Sequence, residues 1–270
     1  MNIVDSFFNW EQIRAILPDL FIIGLPNTLI LAVAAMILGS LVGILVALAS
    51  ISKRAVLRVP ARIYVDLLRG LPVILTIFLL GQGLPLMGLR IFGTSSYPYG
   101  ILTLALIAGA YIAEIFRSGI QALPAGQLEA ARALGMSHSL AMRLIVIPQG
   151  VRNVLPALTN QFIATIKDSS LVYLLGFSVS ERELYRIGQD AAQQTGNLSP
   201  LVAAGIMYLI ITVPLTYVVN WMDRRFKTGR RPGGAATSGS TATSDAAIGS
   251  TTSTGSPLAS APEQLQGADK

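Results

Sequence analysis

The sequence predicts an all-α polytopic membrane protein with five transmembrane helices and its N-terminus outside, and three observations predict it. Only 13% of the 270 residues are charged, where a soluble domain carries about 25%, and mean hydropathy is +0.60. Two long runs hold no charge at all, between Asp19 and Lys53 and between Asp190 and Asp223. The basic residues also segregate once five spans are drawn. Lys53, Arg54, Arg58, Arg62, Arg117, Arg132, Arg143, Arg152, Arg224, Arg225, Lys227, Arg230 and Arg231 fall on one face, and Arg14, Arg90, Arg182 and Arg186 on the other. Basic residues mark the cytoplasmic side, so the first face is cytoplasmic and the C-terminus lies there too.

Residues 1–18 read as an amphipathic helix beside the first span, with Phe7, Phe8, Trp10, Ile13 and Leu17 apolar and Asp5, Glu11 and Arg14 polar. A transmembrane domain follows over 19–228. Its first span sits in the charge-free run after Asp19, which exceeds the ~20 residues a helix needs to cross hydrocarbon. Ala35, Gly39, Gly43 and Ala47 recur every fourth residue and make a flat ridge for close helix packing. The second span runs over about 62–83, irregular near Gly70 and Pro72 and ended by Pro85 and Gly88. The third covers about 98–115, the fourth about 151–175 and the fifth about 198–221, with a polar, mixed-charge stretch at 176–197. From Gly229 to residue 270 the chain is mostly Gly, Ala, Ser, Thr and Pro with almost no large apolar residue, and it cannot bury enough apolar surface to offset its ordering entropy. It reads as a disordered cytoplasmic tail. The acidic start, with Asp5 and Glu11, and a long first apolar block argue against a cleavable signal peptide.

Enzyme chemistry lacks its residues. There is no cysteine, and His138 is the only histidine, so no disulfide framework, no Ser–His pair within the spans and no His- or Cys-rich metal site is available. No phosphate-binding loop, nucleophile elbow or HExxH pattern occurs, and Gly81-Gln82-Gly83 has Leu86 where a third dinucleotide-binding glycine belongs. Neither cofactor nor metal is expected. The net charge of +6 gathers at span ends without an aromatic-interleaved stripe, so nucleic acid is not the partner.

The polar interval at 124–148, PAGQLEAARALGMSHSLAMRLIVIP, is built to fold. Gln127–Leu134 holds good helix formers, Gly135 stands at a left-handed C-cap, and Ser137 can cap a second helix running through Leu140, Met142 and Leu144 towards Pro148. Two short helices hinged at a glycine make a rigid knob at the membrane surface. Glu129-Ala130-Ala131, then three residues, Gly135, nine residues and Ile145-Val146-Ile147-Pro148 resembles the EAA loop of ABC-importer membrane subunits, with isoleucine where leucine often precedes the proline. Gly126-Gln127 and Pro148-Gln149 at its borders resemble the polar amino acid permease branch. The resemblance implies that the first helix couples to a cytoplasmic ATPase through Gln127, Glu129, Ala130, Ala131, Leu134 and Gly135.

In the fourth span Asn153, Asn160 and Lys167 are seven apart, with Gln161 and Asp168 on the adjoining row, so the five share one helical face. Polar groups are costly in lipid, so this face points into protein or water, either as a functional lining or as packing pairs with other helices. Lys167-Asp168-Ser169-Ser170-Leu171 resembles the K-[DT]-[ST]-S-L segment of amino acid permeases. That implies a substrate passage at Asn160, Gln161, Lys167, Asp168 and Ser169, with Asp168 suited to an ammonium and Lys167 to a carboxylate. Residues 64–72, YVDLLRGLP, resemble Y-[VI]-[ED]-x-x-R-G-x-P. Residues 110–120, AYIAEIFRSGI, resemble A-Y-x-[AS]-E-x-x-R-G-G-I, with Ser118 replacing a glycine. Glu114 and Arg117 are either a local i,i+3 pair or, with Arg69, part of an inner gate.

Together these matches imply a type I ABC-importer permease in the cytoplasmic membrane. It would form the pathway for a polar amino acid with a second permease subunit, identical or paralogous. A dimer of ATPase subunits and an extracytoplasmic solute-binding protein would serve it. Two rival classes make distinct demands. An ion-gradient-driven transporter would ignore ATPase inactivation, and a non-transporting docking protein would show no substrate-stimulated hydrolysis.

Overall fold

The computed structural model describes residues 3–93, 95–122 and 125–227, and every element in it is helical. Pro124 at the start of the expected coupling loop, residues 1 and 2, and the expected tail at 229–270 lie outside the described residues. The chain begins with α1 (Ile3–Phe7) and α2 (Trp10–Asp19), the latter capped by the Asn9 carboxamide oxygen, which accepts from the Gln12 amide at 3.2 Å. The amphipathic segment is not a separate strip beside the first span. It runs through a π-helical turn (Leu20–Gly24) directly into α3 (Leu25–Ser50). Pro18 explains the wide turn: it removes one amide donor and crowds the preceding turn, and the ladder loosens just beyond it. The uninterrupted run from Trp10 to Ser50 is roughly 60 Å long at ~1.5 Å per residue, about twice the ~30 Å hydrocarbon core.

Next comes α4 (Ala55–Gly70), then α5 (Val73–Thr76), a π-turn (Ile77–Gln82) and α6 (Gly83–Leu86). The expected irregularity at Gly70 and Pro72 is a full break, and the two arms meet at 115°. Leu71 is extended because the following proline excludes the α region, and Pro72 then caps α5. α7 (Tyr97–Gln121) crosses the centre of the molecule. α8 (Ala125–Ala133) and α9 (His138–Ala141) form the polar interval, and α9 continues through a π-turn (Met142–Val146) into α10 (Ile147–Asp168). The second short helix therefore does not stop at Pro148. That proline removes one amide donor just inside α10, and the π-turn before it lets the helix widen and run on. A 3₁₀ segment (Ser169–Leu175) ends at left-handed Gly176, a 3₁₀ turn (Val179–Glu181) leads to α11 (Leu184–Thr195), and α12 (Ser199–Lys227) closes the described chain. Among the described residues three helical runs are long and apolar enough to cross a membrane, and the bent α4–α6 pair makes a fourth if counted as one span. α10 does not join them on composition, because it carries Arg152, Asn153, Asn160, Lys167 and Asp168.

The core is a set of helix contacts made close by small residues. Ala35, Gly39, Gly43 and Ala47 are all buried, and the ridge presses on α7. A Cβ on Gly39 would lie 2.9 Å from the Ala105 carbonyl oxygen, and one on Gly43 2.7 Å from Ile112 Cγ2. Backbone-to-backbone approach of this kind needs glycine. Leu31, Ile77, Leu104 and Val172 join one end of this packing to the broken span and the 3₁₀ segment. A second cluster, with Ile16, Leu20, Leu184 and Met207, binds α2 and α11 to α12. Tyr64 donates to the Leu106 carbonyl at 2.6 Å and holds α4 against α7.

Candidate functional site

The polar interval folds as a capped knob. At its hinge Gly135 adopts φ +84°, its amide donates to the Arg132 carbonyl at 3.0 Å, and the Met136 amide donates to the Ala131 carbonyl at 3.2 Å. These two bonds satisfy the last carbonyls of α8 in a Schellman arrangement, which requires the left-handed residue that glycine supplies. Ser137 Oγ accepts from the Leu140 amide at 3.3 Å and starts α9. Ala131 and Ala141 are buried between the two helices and fix their angle. Gln127, Glu129, Ala130 and Gly135 stand exposed, and Leu134 is 84% exposed at the tip.

On α10 the expected polar face exists as a face. Asn153, Asn160 and Lys167 are exposed and Gln161 and Asp168 half-buried, while Val154, Ile163, Thr165 and Ile166 pack inward. Among the described residues neither the Lys167 nor the Asp168 side chain makes a hydrogen bond or ion pair with another helix. Ser169 stands apart from them. It is fully buried, its hydroxyl donates to the Ile166 carbonyl at 2.7 Å, and it lies against the Tyr208 hydroxyl of α12. Helix α10 meets α7 tightly: a Cβ on Gly119 would fall 2.1 Å from Val154 Cγ1.

Arg69, Glu114 and Arg117 come together. They line one open cavity of about 280 Å³ bounded by the end of α3, by α4 and by the last turns of α7, with Ser50, Arg62 and Asp66 completing its polar wall. Arg117 Nε donates to Glu114 Oε2 at 2.8 Å and a second guanidinium nitrogen to Glu114 Oε1, a two-point clamp, while Nη1 donates to Gln121 Oε1 at 2.6 Å. The Arg69 guanidinium lies 5.3 Å from the centre of the Tyr111 ring. Two sequence stretches some 45 residues apart, 64–72 and 110–120, thus build one site. In the sequence Arg62 reads only as a basic-face charge and Asp66 only as the acidic position of the 64–72 motif; their i,i+4 spacing on one face of α4 was the available signal for a shared site.

Glu183 was also unforeseen. It is fully buried at the start of α11, where its carboxylate accepts from the Tyr185 amide at 2.6 Å, the Arg186 amide at 2.7 Å and the Tyr208 hydroxyl at 3.0 Å. The adjacent Leu184 amide donates to Thr28 Oγ1 at 3.1 Å, so α3, α11, α12 and the 3₁₀ segment meet at one buried polar knot. Burial raises the Glu183 carboxyl to about 7, against the lowering pull of the two amides, Tyr208 and the Arg186 charge. A neutral Glu183 fits the knot, because its proton can bond Tyr208 while the tyrosine turns to Thr28 or Ser169.

Comparison with known proteins gives a consistent picture. Residues 39–228 match the family model described as the binding-protein-dependent transport system inner membrane component. The probable amino-acid permease protein YxeN of Bacillus subtilis is 34% identical over 227 residues, covering 83% of this chain and 96% of that one. The arginine transport system permease protein ArtQ of the same organism is 33% identical over 205 residues, 76% and 91% of the two chains. A putative glutamine transport system permease protein of Rickettsia typhi is 33% identical over 208 residues, 76% and 93%. Among solved structures, a chain of an amino acid ABC transporter with histidines superposes with a TM-score of 0.69 at 30% identity, over 83% of this chain and all of that one. A chain of the MetNI methionine ABC transporter shares the fold alone, with a TM-score of 0.57 at 20% identity.

Proposed function

We propose a working mechanism for this chain from the premise that it belongs to the family of binding-protein-dependent transport system inner membrane components. It is the membrane-spanning permease subunit of an amino acid ABC importer, a transport component whose ATP hydrolysis resides on a separate subunit. The finer reading has five spans, with α10 and its 3₁₀ extension as the fourth, the N-terminus outside and the C-terminus cytoplasmic. The excess of Lys and Arg on one face supports this orientation.

The observation that carries the mechanism is the knob at Gly135. Exposed Gln127, Glu129, Ala130 and Leu134 seat in a groove of the cytoplasmic ATPase. α9 continues without a stop into α10, so movement of the knob is delivered to the helix that carries Asn160, Gln161, Lys167 and Asp168. Coupling needs the inward and outward states of the permease pair to fit the open and closed ATPase dimer unequally. The α10 face lines the passage against a second permease subunit, identical or paralogous. Its side-by-side ammonium and carboxylate suit the two charges of a polar amino acid, which an extracytoplasmic solute-binding protein delivers. Ser169, being buried, supports that face rather than lining it.

The test is reconstitution of the full importer in proteoliposomes with its ATPase and binding protein. ATP hydrolysis rises with amino-acid-loaded binding protein, and Asp168→Asn shifts the preference among cationic, neutral and acidic amino acids. Uptake and selectivity indifferent to Asp168→Asn would remove the passage assignment.

A further inference from the structure

We propose that the charged cavity between α3, α4 and α7 is a second binding site, on the cytoplasmic side, for a free α-amino acid whose carboxylate meets Arg62 and whose ammonium meets Asp66. The choice of an amino acid rests on the transport reading above; the charge pattern and the free partners come from the cavity itself.

The wall carries both signs: Arg62, Arg69 and Arg117 against Asp66 and Glu114. Three of these groups already have partners. Glu114 and Arg117 clamp each other, Arg117 also holds Gln121, and Arg69 lies over Tyr111. Arg62 and Asp66 have none: both are exposed, and neither makes a hydrogen bond or ion pair among the described residues. They sit four residues apart on one helix face, with Cβ atoms ~5–6 Å apart, the spacing at which such residues pair with each other. Unpaired side by side on the wall of an open cavity, they match a ligand whose ammonium and carboxylate flank a single carbon. A purely anionic ligand, such as phosphate or a lipid headgroup, would meet Asp66 and Glu114 as repulsion. The volume of about 280 Å³ lies just below the ~300 Å³ where small-molecule pockets begin, so one amino acid fits and a nucleotide or peptide does not.

The position gives the site a role distinct from the passage. α10 contributes none of its lining side chains. Arg117 bonds Gln121, the last residue of α7, four positions before α8 begins. An amino acid held there presses on the root of the knob, where released substrate can report internal concentration.

Equilibrium binding to the assembled, nucleotide-free complex in nanodiscs, without the binding protein, tests this. The probes are L-glutamine and L-arginine, their carboxamide and N-acetyl derivatives, and inorganic phosphate. We expect one of the two amino acids to bind, and its two derivatives to bind about tenfold more weakly or worse. Arg62→Gln and Asp66→Asn each weaken the zwitterion by a similar factor while leaving the melting temperature of the complex unchanged. Competition by phosphate as strong as by the amino acid overturns the proposal in favour of an anion site. Wild-type affinity in both variants overturns it too. Absence of binding in a complex that still performs ATP-driven uptake defeats this site alone, whereas absence of both binding and uptake defeats the transport reading beneath it.

Discussion

Glu183 shows how a single carboxyl can tie stability to pH. The group lies outside the spans, in the stretch between the 3₁₀ segment and α11, and burial lifts it to about 7 from an ordinary 4.5. Between those values the folded chain binds more protons than the unfolded chain, so stability is greatest below about pH 4.5, falls as pH rises through 7, and is level above that. Thermal unfolding of the wild type should therefore show a melting temperature that declines from pH 5 to pH 7.5. Glu183→Gln is less stable throughout, because its amide leaves the Tyr185 or Arg186 N–H unpaired, but it loses this decline. A variant with the wild-type slope would place the titration elsewhere. Glu183 was not legible in the sequence because a glutamate is an uncommon N-cap, and nothing in a polar stretch announces that one member is buried. Gly135 was legible, since a glycine after a run of helix formers and before a serine has one economical conformation, and it takes it.

Among the elements, α3 and α7 carry the packing, and their glycines have unequal roles. Gly39 and Gly43 face α7 with no room for a methyl group, while Gly205 in α12 has nothing within 4 Å. Gly39→Val should lower the melting temperature by the equivalent of ~1–3 kcal/mol, the cost of forcing a side chain into a filled contact. Gly205→Ala should leave it level or raise it by up to ~1 kcal/mol, through the better helix propensity of alanine. Equal effects of the two changes would mean that the α3–α7 contact is not close-packed in the membrane. The fourfold spacing of small residues made this ridge readable in advance. Continuity was harder to read. Pro18 and Pro148 look like stops, yet a π-turn beside each lets the helix run on from α2 into α3 and from α9 into α10. Proline marks a lost hydrogen bond, and whether the chain ends or widens there depends on what packs around it. The break at Pro72 went the other way, because Leu71 before it is held extended.

For the whole molecule, the account requires one topology and one direction of force. The chain has no cysteine, so single cysteines report position cleanly. A cysteine at Arg90 should react with a membrane-impermeant maleimide added outside intact cells, and one at Ser139 only after the cytoplasmic face is opened. The reverse pattern would invert the proposed topology. The class was legible because low charge and motif spacing are written along the chain, and so was the capped hinge at Gly135. The charged cavity was not, because it assembles from α3, α4 and α7 only when the glycine ridge brings them together. The most direct measurement is substrate-stimulated ATP hydrolysis and amino acid uptake by the reconstituted importer carrying Leu134→Asp. Leu134 is 84% exposed and supports nothing in the fold, so the permease should melt as the wild type does. Hydrolysis stimulation and uptake should fall about tenfold or more, because a charge at the tip cannot enter an apolar groove without desolvation. Full uptake with this variant would contradict the claim that the ATPase drives the passage through the knob at Gly135.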